Sequence, residues 1–234
     1  MTDTPAIHLT DLSFAWPGGA DFRLEVDDFA LPKGGRTLLL GASGSGKSTL
    51  LSLICGVIAP QSGRVEVAGT DIAQLSRRKR DRFRAEEIGI VFQQFNLLPY
   101  ASAMDNALLP LRFAPGRRAR VGDERAEALR LAAALGLDAA LMTKGRAGAL
   151  SVGQQQRVAV IRALIGGPGL IVADEPTSAL DAAAQAVFVD TLFTHVAAAG
   201  ASLLMVSHDE RLADRFDQTV RLDDIARVTR AAAV

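Results

Sequence analysis

Apolar and polar positions along the chain alternate between two rhythms. Short apolar or alternating runs, bounded by Gly, Pro and Asp, read as strands at 7–16, 22–29, 36–40, 64–68, 89–92, 170–173, 202–207 and 219–222. Helix-length segments separate most of them, which predicts an α/β fold with a mainly parallel sheet. LIVA at 170–173 is apolar at every position, as expected of a strand covered by helices on both faces. From about 95 to 167 the chain carries alanine-rich helical patterns, punctuated by Pro110, Pro115 and Gly116, and no convincing strand. This stretch reads as a helical subdomain inserted into a single domain spanning 1–234.

The 234 residues suffice for a full core. Lys+Arg and Asp+Glu both number 26, so no net charge argues for nucleic acid or anionic lipid as partner. Two basic clusters, RRKRDRFR at 77–84 and RRAR at 117–120, are each followed by acids and read as solvated helix faces. The lone Cys55 sits in an apolar run and reads as a small core hydrophobe in a reducing compartment. His8 and His195 belong to no motif and read as surface or strand-edge residues. The N-terminus lacks the pattern of a signal peptide, and no apolar run approaches the roughly 18 residues of a membrane span. A cytoplasmic chain is expected, reaching a membrane only through a partner.

Composition leaves the chemistry open; GASGSGKST at 41–49 does not. It lies between a predicted strand and a predicted helix, the context in which G-x-x-x-x-G-K-[ST] cradles phosphates. Gly41, Gly44 and Gly46 permit close backbone approach, and the N–H groups of Ala42, Ser43, Ser45 and their neighbours can face a phosphate at the helix start. Lys47 suits the β- and γ-phosphates, Ser48 suits Mg²⁺, and Thr49 continues the motif into the helix. Downstream, the 170–173 strand delivers Asp174 and Glu175 to its C-terminal edge, where open α/β sheets bind ligands. Asp174 is expected in the Mg²⁺ shell and Glu175 as the base that polarises an attacking water.

At this point the chain resembles the ATP-binding-cassette (ABC) ATPases over almost its whole length. The resemblance makes the glycine loop Walker A and LIVADE Walker B, and implies an N-terminal antiparallel β part beside the parallel P-loop core. It implies that Gln93 in FQQFNLLP is the loop glutamine touching Mg²⁺ and water, with Gln94 as the competing residue. SALD at 178–181, ending in Asp181, matches the D-loop. His208 in VSHD matches the histidine that contacts the γ-phosphate, with a helix cap as its structural alternative. Trp16, 25 residues before Gly41, matches the aromatic that stacks on adenine, against the alternative of a core aromatic. LSVGQQQR from Leu150 resembles the signature, which closes over ATP held by a second copy in a head-to-tail homodimer. The cofactors implied are ATP and Mg²⁺, with hydrolysis coupled to transport by an integral-membrane permease and no role for nucleic acid.

Within that family, FQQFNLLP followed by ASAMDNALLPL resembles the lipoprotein-release and macrolide-export group that partners FtsX-like permeases. The roughly 100 residues from the phosphate loop to the signature are too few for DNA-repair members, and a chain ending near Val234 leaves no room for an importer's regulatory domain. A regulatory ATPase relaying ATP state to a cell-envelope enzyme is the alternative role.

The signature departs from the family pattern at one residue, Val152 in place of glycine. Ser151 and Gln154 form an S-x-x-Q capping box, which makes Val152 the first helical residue, where valine is tolerated, and Gly153 the second. Gly153 is expected to stay bare so that its N–H reaches a phosphate.

Overall fold

The computed structural model describes residues 4–17, 22–178 and 180–230. In chain order the elements are β1 (Ile7–Ala15), β2 (Phe22–Leu31), β3 (Arg36–Leu40), α1 (Lys47–Ile54), β4 (Ser62–Val67), β5 (Thr70–Asp71) and α2 (Arg77–Glu87). There follow β6 (Ile88–Val91), α3 (Ala103–Leu108), α4 (Pro115–Val121), α5 (Glu124–Ala134), α6 (Ala139–Lys144), α7 (Val152–Leu164), β7 (Leu170–Asp174) and α8 (Ala182–Ala198). The chain closes with β8 (Ser202–Ser207), β9 (Gln218–Arg221), α9 (Leu222–Ile225) and β10 (Ala226–Arg230). It divides into two compact units, Met1–Arg84 with Ser202–Val234, and Ala85–Ala201.

The first unit holds an antiparallel sheet in the order β10-β2-β1-β4-β5 and the parallel trio in which β3 pairs with both β8 and β9. β1 buries Ile7 and Leu9, then Leu12 and Phe14. The shift of parity comes from a bulge: Asp11 is left-handed at φ 48° and the β1–β4 register breaks between Thr10 and Ser13. Gly63 faces that bulge; a Cβ there would stand 2.3 Å from the Asp11 carbonyl oxygen. All eight expected strands are recovered within two residues at each boundary, the largest differences being a start two residues earlier in β4 and an end two residues later in β2. β5 and β10 were not legible, being short or polar. His8 lies on a strand paired on both sides rather than at an edge, and its ring meets Asp28 at 2.9 Å and Glu66 at 3.4 Å.

In the second unit β6 and β7 are parallel neighbours, and every helix between them except α4 begins at an Asp or Ser whose side chain caps it. α7 is largely buried and approaches β6 through Gly89, where a Cβ would stand 2.2 Å from the Ala163 carbonyl oxygen. Cys55, in the first unit, is buried as expected, and α2 presents its basic residues without burying any.

The second basic cluster overturns its expectation. Arg117 is not on a solvated face but is 1% exposed. Its guanidinium donates to the carbonyls of Ile165 and Ala163 at the end of α7 and to Ala85, while Arg120 donates to Gly166. A helix C-terminus leaves carbonyls without partners and carries partial negative charge, and the arginine answers both. Burial pushes the Arg117 pKa down to about 10, with Arg120 adding to the fall, which leaves it charged at neutral pH. His195 on α8 is also held below its usual range, first by burial and then by the charge of Arg130.

Candidate functional site

In the first unit the loop from β3 to α1 carries Gly41 to Ser48. Gly44 and Gly46 take φ of 75° and 116°, conformations that a side chain resists. Gly46 is the N-cap of α1 and supplies no side-chain cap, so no capping side chain fills the start of the helix. Lys47 is 5% exposed and its ammonium donates to the carbonyls of Gly41 at 2.7 Å and Ala42 at 2.8 Å, which braces the loop from inside. The Ser45 hydroxyl is buried with no hydrogen-bond partner among the described residues. An uncapped helix start, an orphaned hydroxyl and a lysine at the loop fit a phosphate chain.

Register brings His208 to the same place. Leu40 and Ser207 are partners in the parallel β3–β8 pair, so the chain leaves one strand into Gly41 and the other into His208, which is exposed. Trp16 follows Ala15, the register partner of Arg23, and the adjoining Phe22 ring comes within 3.5 Å of where a Gly46 Cβ would stand. Trp16 is 45% exposed and its ring meets Phe14 edge-on with centroids 5.0 Å apart, so it is not a core aromatic. Sequence reading missed Arg230, whose guanidinium lies 3.8 Å from the point where a Gly44 Cβ would stand and 6.0 Å from the centroid of Phe22. No strand pattern marked the segment that carries it.

In the second unit Val91 and Ala173 are partners in the parallel β6–β7 pair. The two strands therefore end side by side, one leading to the exposed Gln93 and the other to Asp174 and Glu175, both partly exposed. Glu175 is left-handed at φ 41°. A non-glycine residue in that region costs about 1–3 kcal/mol and persists only where its surroundings hold it. Part of that hold is visible: Gln156 of α7 donates to the Pro176 carbonyl at 2.7 Å, and Gln185 of α8 donates to the Thr177 hydroxyl at 3.0 Å. The Asp181 carboxylate caps α8 by accepting from the Ala184 N–H at 2.8 Å. Of the segment 178–181, residue 179 lies outside the described residues.

The start of α7 is the capping box expected. Ser151 Oγ accepts from the Gln154 N–H at 3.3 Å and Gln154 Oε1 accepts from the Ser151 N–H at 2.9 Å. Val152 is the first helical residue and is 52% exposed. Gly153 is not left-handed, and no atom lies within 4 Å of where its Cβ would stand. Among the described residues no three His, Cys, Asp or Glu side chains form a cluster able to hold a metal ion by themselves.

Comparison with known proteins identifies the family. The family model described as "ABC transporter" matches residues 24–178. The lipoprotein-releasing system ATP-binding protein LolD of Anaeromyxobacter dehalogenans (strain 2CP-C) is 47% identical over 222 residues, covering 94% of this chain and 84% of that protein. The pyoverdine export ATP-binding/permease protein PvdT of Pseudomonas entomophila (strain L48) is 37% identical over 98% of this chain but only 35% of its own length. Among solved structures, the dimeric post-hydrolysis state of the ATP-binding cassette MJ0796 bound to ADP and Pi superposes with a TM-score of 0.79 at 29% identity, covering 97% of this chain and all of that one. The motifs, the register that gathers them and a family match over more than half of its length agree that the chain belongs to the ABC transporter family, as an ATP-binding subunit with ATPase activity.

Proposed function

We propose that this chain drives an FtsX-like permease from the cytoplasmic face of the cell membrane, as a head-to-tail homodimer that closes on two MgATP and reopens on hydrolysis. Trp16 stacks on adenine; the loop from Gly41 to Thr49 holds the phosphates, with Lys47 on the β- and γ-phosphates. Ser48, Gln93 and Asp174 serve the Mg²⁺ shell, which neutralises charge developing on the phosphates. Glu175 takes the proton of the attacking water, His208 contacts the γ-phosphate, and Ser151, Gly153 and Gln154 approach it from the second copy. Asp181 completes the contact at the D-loop.

Gly153 carries the two-copy reading. Its own chain leaves open the space where a Cβ would stand, which supports a close approach to this bare position from outside. The PvdT match supports the permease, since that relative unites ATP-binding and permease parts in a longer chain of which this one matches a part. No helix among the described residues is long and apolar enough to cross a membrane.

Coexpression with a four-span permease bearing a large extracytoplasmic domain tests the partner: copurification and stimulated phosphate release are expected. Association with a wall hydrolase complex, with phosphate release but no cargo moved, is the result the regulatory reading requires. Glu175→Gln tests the chemistry. It should bind ATP and dimerise, yet lose at least ~10²-fold in turnover; near-normal turnover refutes the role of Glu175.

A further inference from the structure

One arginine of the second unit sits in an otherwise apolar run. VAVIRALI, from Val158 on α7, buries every residue, and Arg162 among them is 8% exposed. Burial draws its pKa down. A buried charge survives only where its donors are matched. Arg162 Nη1 donates to the Asn96 carbonyl at 2.7 Å and Nη2 to the Phe95 carbonyl at 2.5 Å, while its guanidinium carbon lies 5.8 Å from the Phe92 ring centroid. All three contacts fall on the short segment that contains Gln93.

That segment is a tight turn in a disfavoured conformation. Phe95 and Asn96 are consecutive left-handed residues, φ 57° and 47°, and neither is glycine. The Phe95 N–H donates to the Phe92 carbonyl at 3.0 Å and the Asn96 N–H to the Gln94 carbonyl at 2.6 Å. Here the two carbonyls are met by the two ends of one rigid planar fork, whereas a lysine would have to reach both from a single nitrogen on a flexible stem. At the other end of the same helix Gln156 grips the Pro176 carbonyl beside Glu175. α7 thus reaches both turns of its unit that carry proposed catalytic groups.

We propose that Arg162 is a positioning residue: it latches the turn after Gln93 in its left-handed form and fixes it to the helix that begins at the signature, so that loop glutamine and signature move as one body. This rests on the reading of Gln93 as the glutamine serving Mg²⁺ and the attacking water.

The test uses the full chain in four forms, unmodified, Arg162→Lys, Gln93→Ala and the double variant, with amide hydrogen exchange and ATP turnover as readouts. In Arg162→Lys the amides of 93–98 should exchange about tenfold faster or more while those of α5 hold. Turnover should fall about tenfold at unchanged KM for ATP, and the double variant should be no slower than Gln93→Ala alone. Unchanged exchange at 93–98, or losses that multiply in the double variant, overturns the proposal. Normal turnover in Gln93→Ala sinks the reading of Gln93 but not the latch, which accelerated exchange would still uphold. If Arg162→Lys does not fold, Phe92→Leu removes only the stacked ring and should quicken exchange in the same window; no change there also overturns it.

Discussion

Two helices of this protein begin with a glycine at or beside their first turn, for opposite reasons. At the phosphate loop Gly46 sits at φ 116° and caps α1 without a side chain, so the backbone itself demands glycine. At α7 the cap is a complete Ser151–Gln154 box, and Gly153 within it has an ordinary backbone and open space where a Cβ would go. One glycine is demanded by the fold of its own chain, at the loop proposed to hold phosphate. The other weakens a helix by up to about 1 kcal/mol relative to alanine and repays nothing within the chain. A helical glycine with open space around it leaves room for a close approach from outside the chain.

Substitutions can break this contrast, the largest effect first. Gly46→Ala should cost about 1–3 kcal/mol by urea denaturation, because alanine resists that conformation, and should abolish ATP binding as well. Gly153→Ala should do the reverse, leaving the urea midpoint unchanged or higher while turnover and ATP-dependent dimerisation drop about tenfold or more. Parallel losses of stability and turnover in Gly153→Ala would falsify the contrast. Ser151→Ala removes the cap and should destabilise by about 1 kcal/mol, with a separate loss of dimer affinity visible by sedentation-equilibrium or size-exclusion measurements in ATP. Val152→Gly should move least: a few tenths of a kcal/mol in stability and less than tenfold in turnover. A tenfold gain or more in the glycine form would mean that the valine loosens the closed dimer.

The arginines mark how far local reading reaches. RRAR at 117–120 is followed by acids, the pattern of a wet helix face, yet Arg117 is buried on carbonyls 46 and 48 residues away. Arg162 left a trace, a lone charge in an apolar run, but its partners on the turn after Gln93 lie 66 and 67 residues away. Arg230 ends a strand that the pattern did not reveal. In each case the missing information was which distant carbonyl or glycine the side chain would meet.

The sequence alone determined what depends on near neighbours. A run of glycines before a lysine, an S-x-x-Q at a helix start and an apolar strand ending in two acids each act within a few residues, so the type of element, and at α7 the cap itself, could be read directly. Tertiary structure decided whatever needs a partner far along the chain: that register sets His208 beside the phosphate loop and Gln93 beside Glu175, that Glu175 is held left-handed, and that Arg117 and Arg162 are interior. The physical reason is the same throughout. Backbone angles and caps are local energies, whereas burial and the matching of a buried charge depend on surfaces that exist only once the chain has folded.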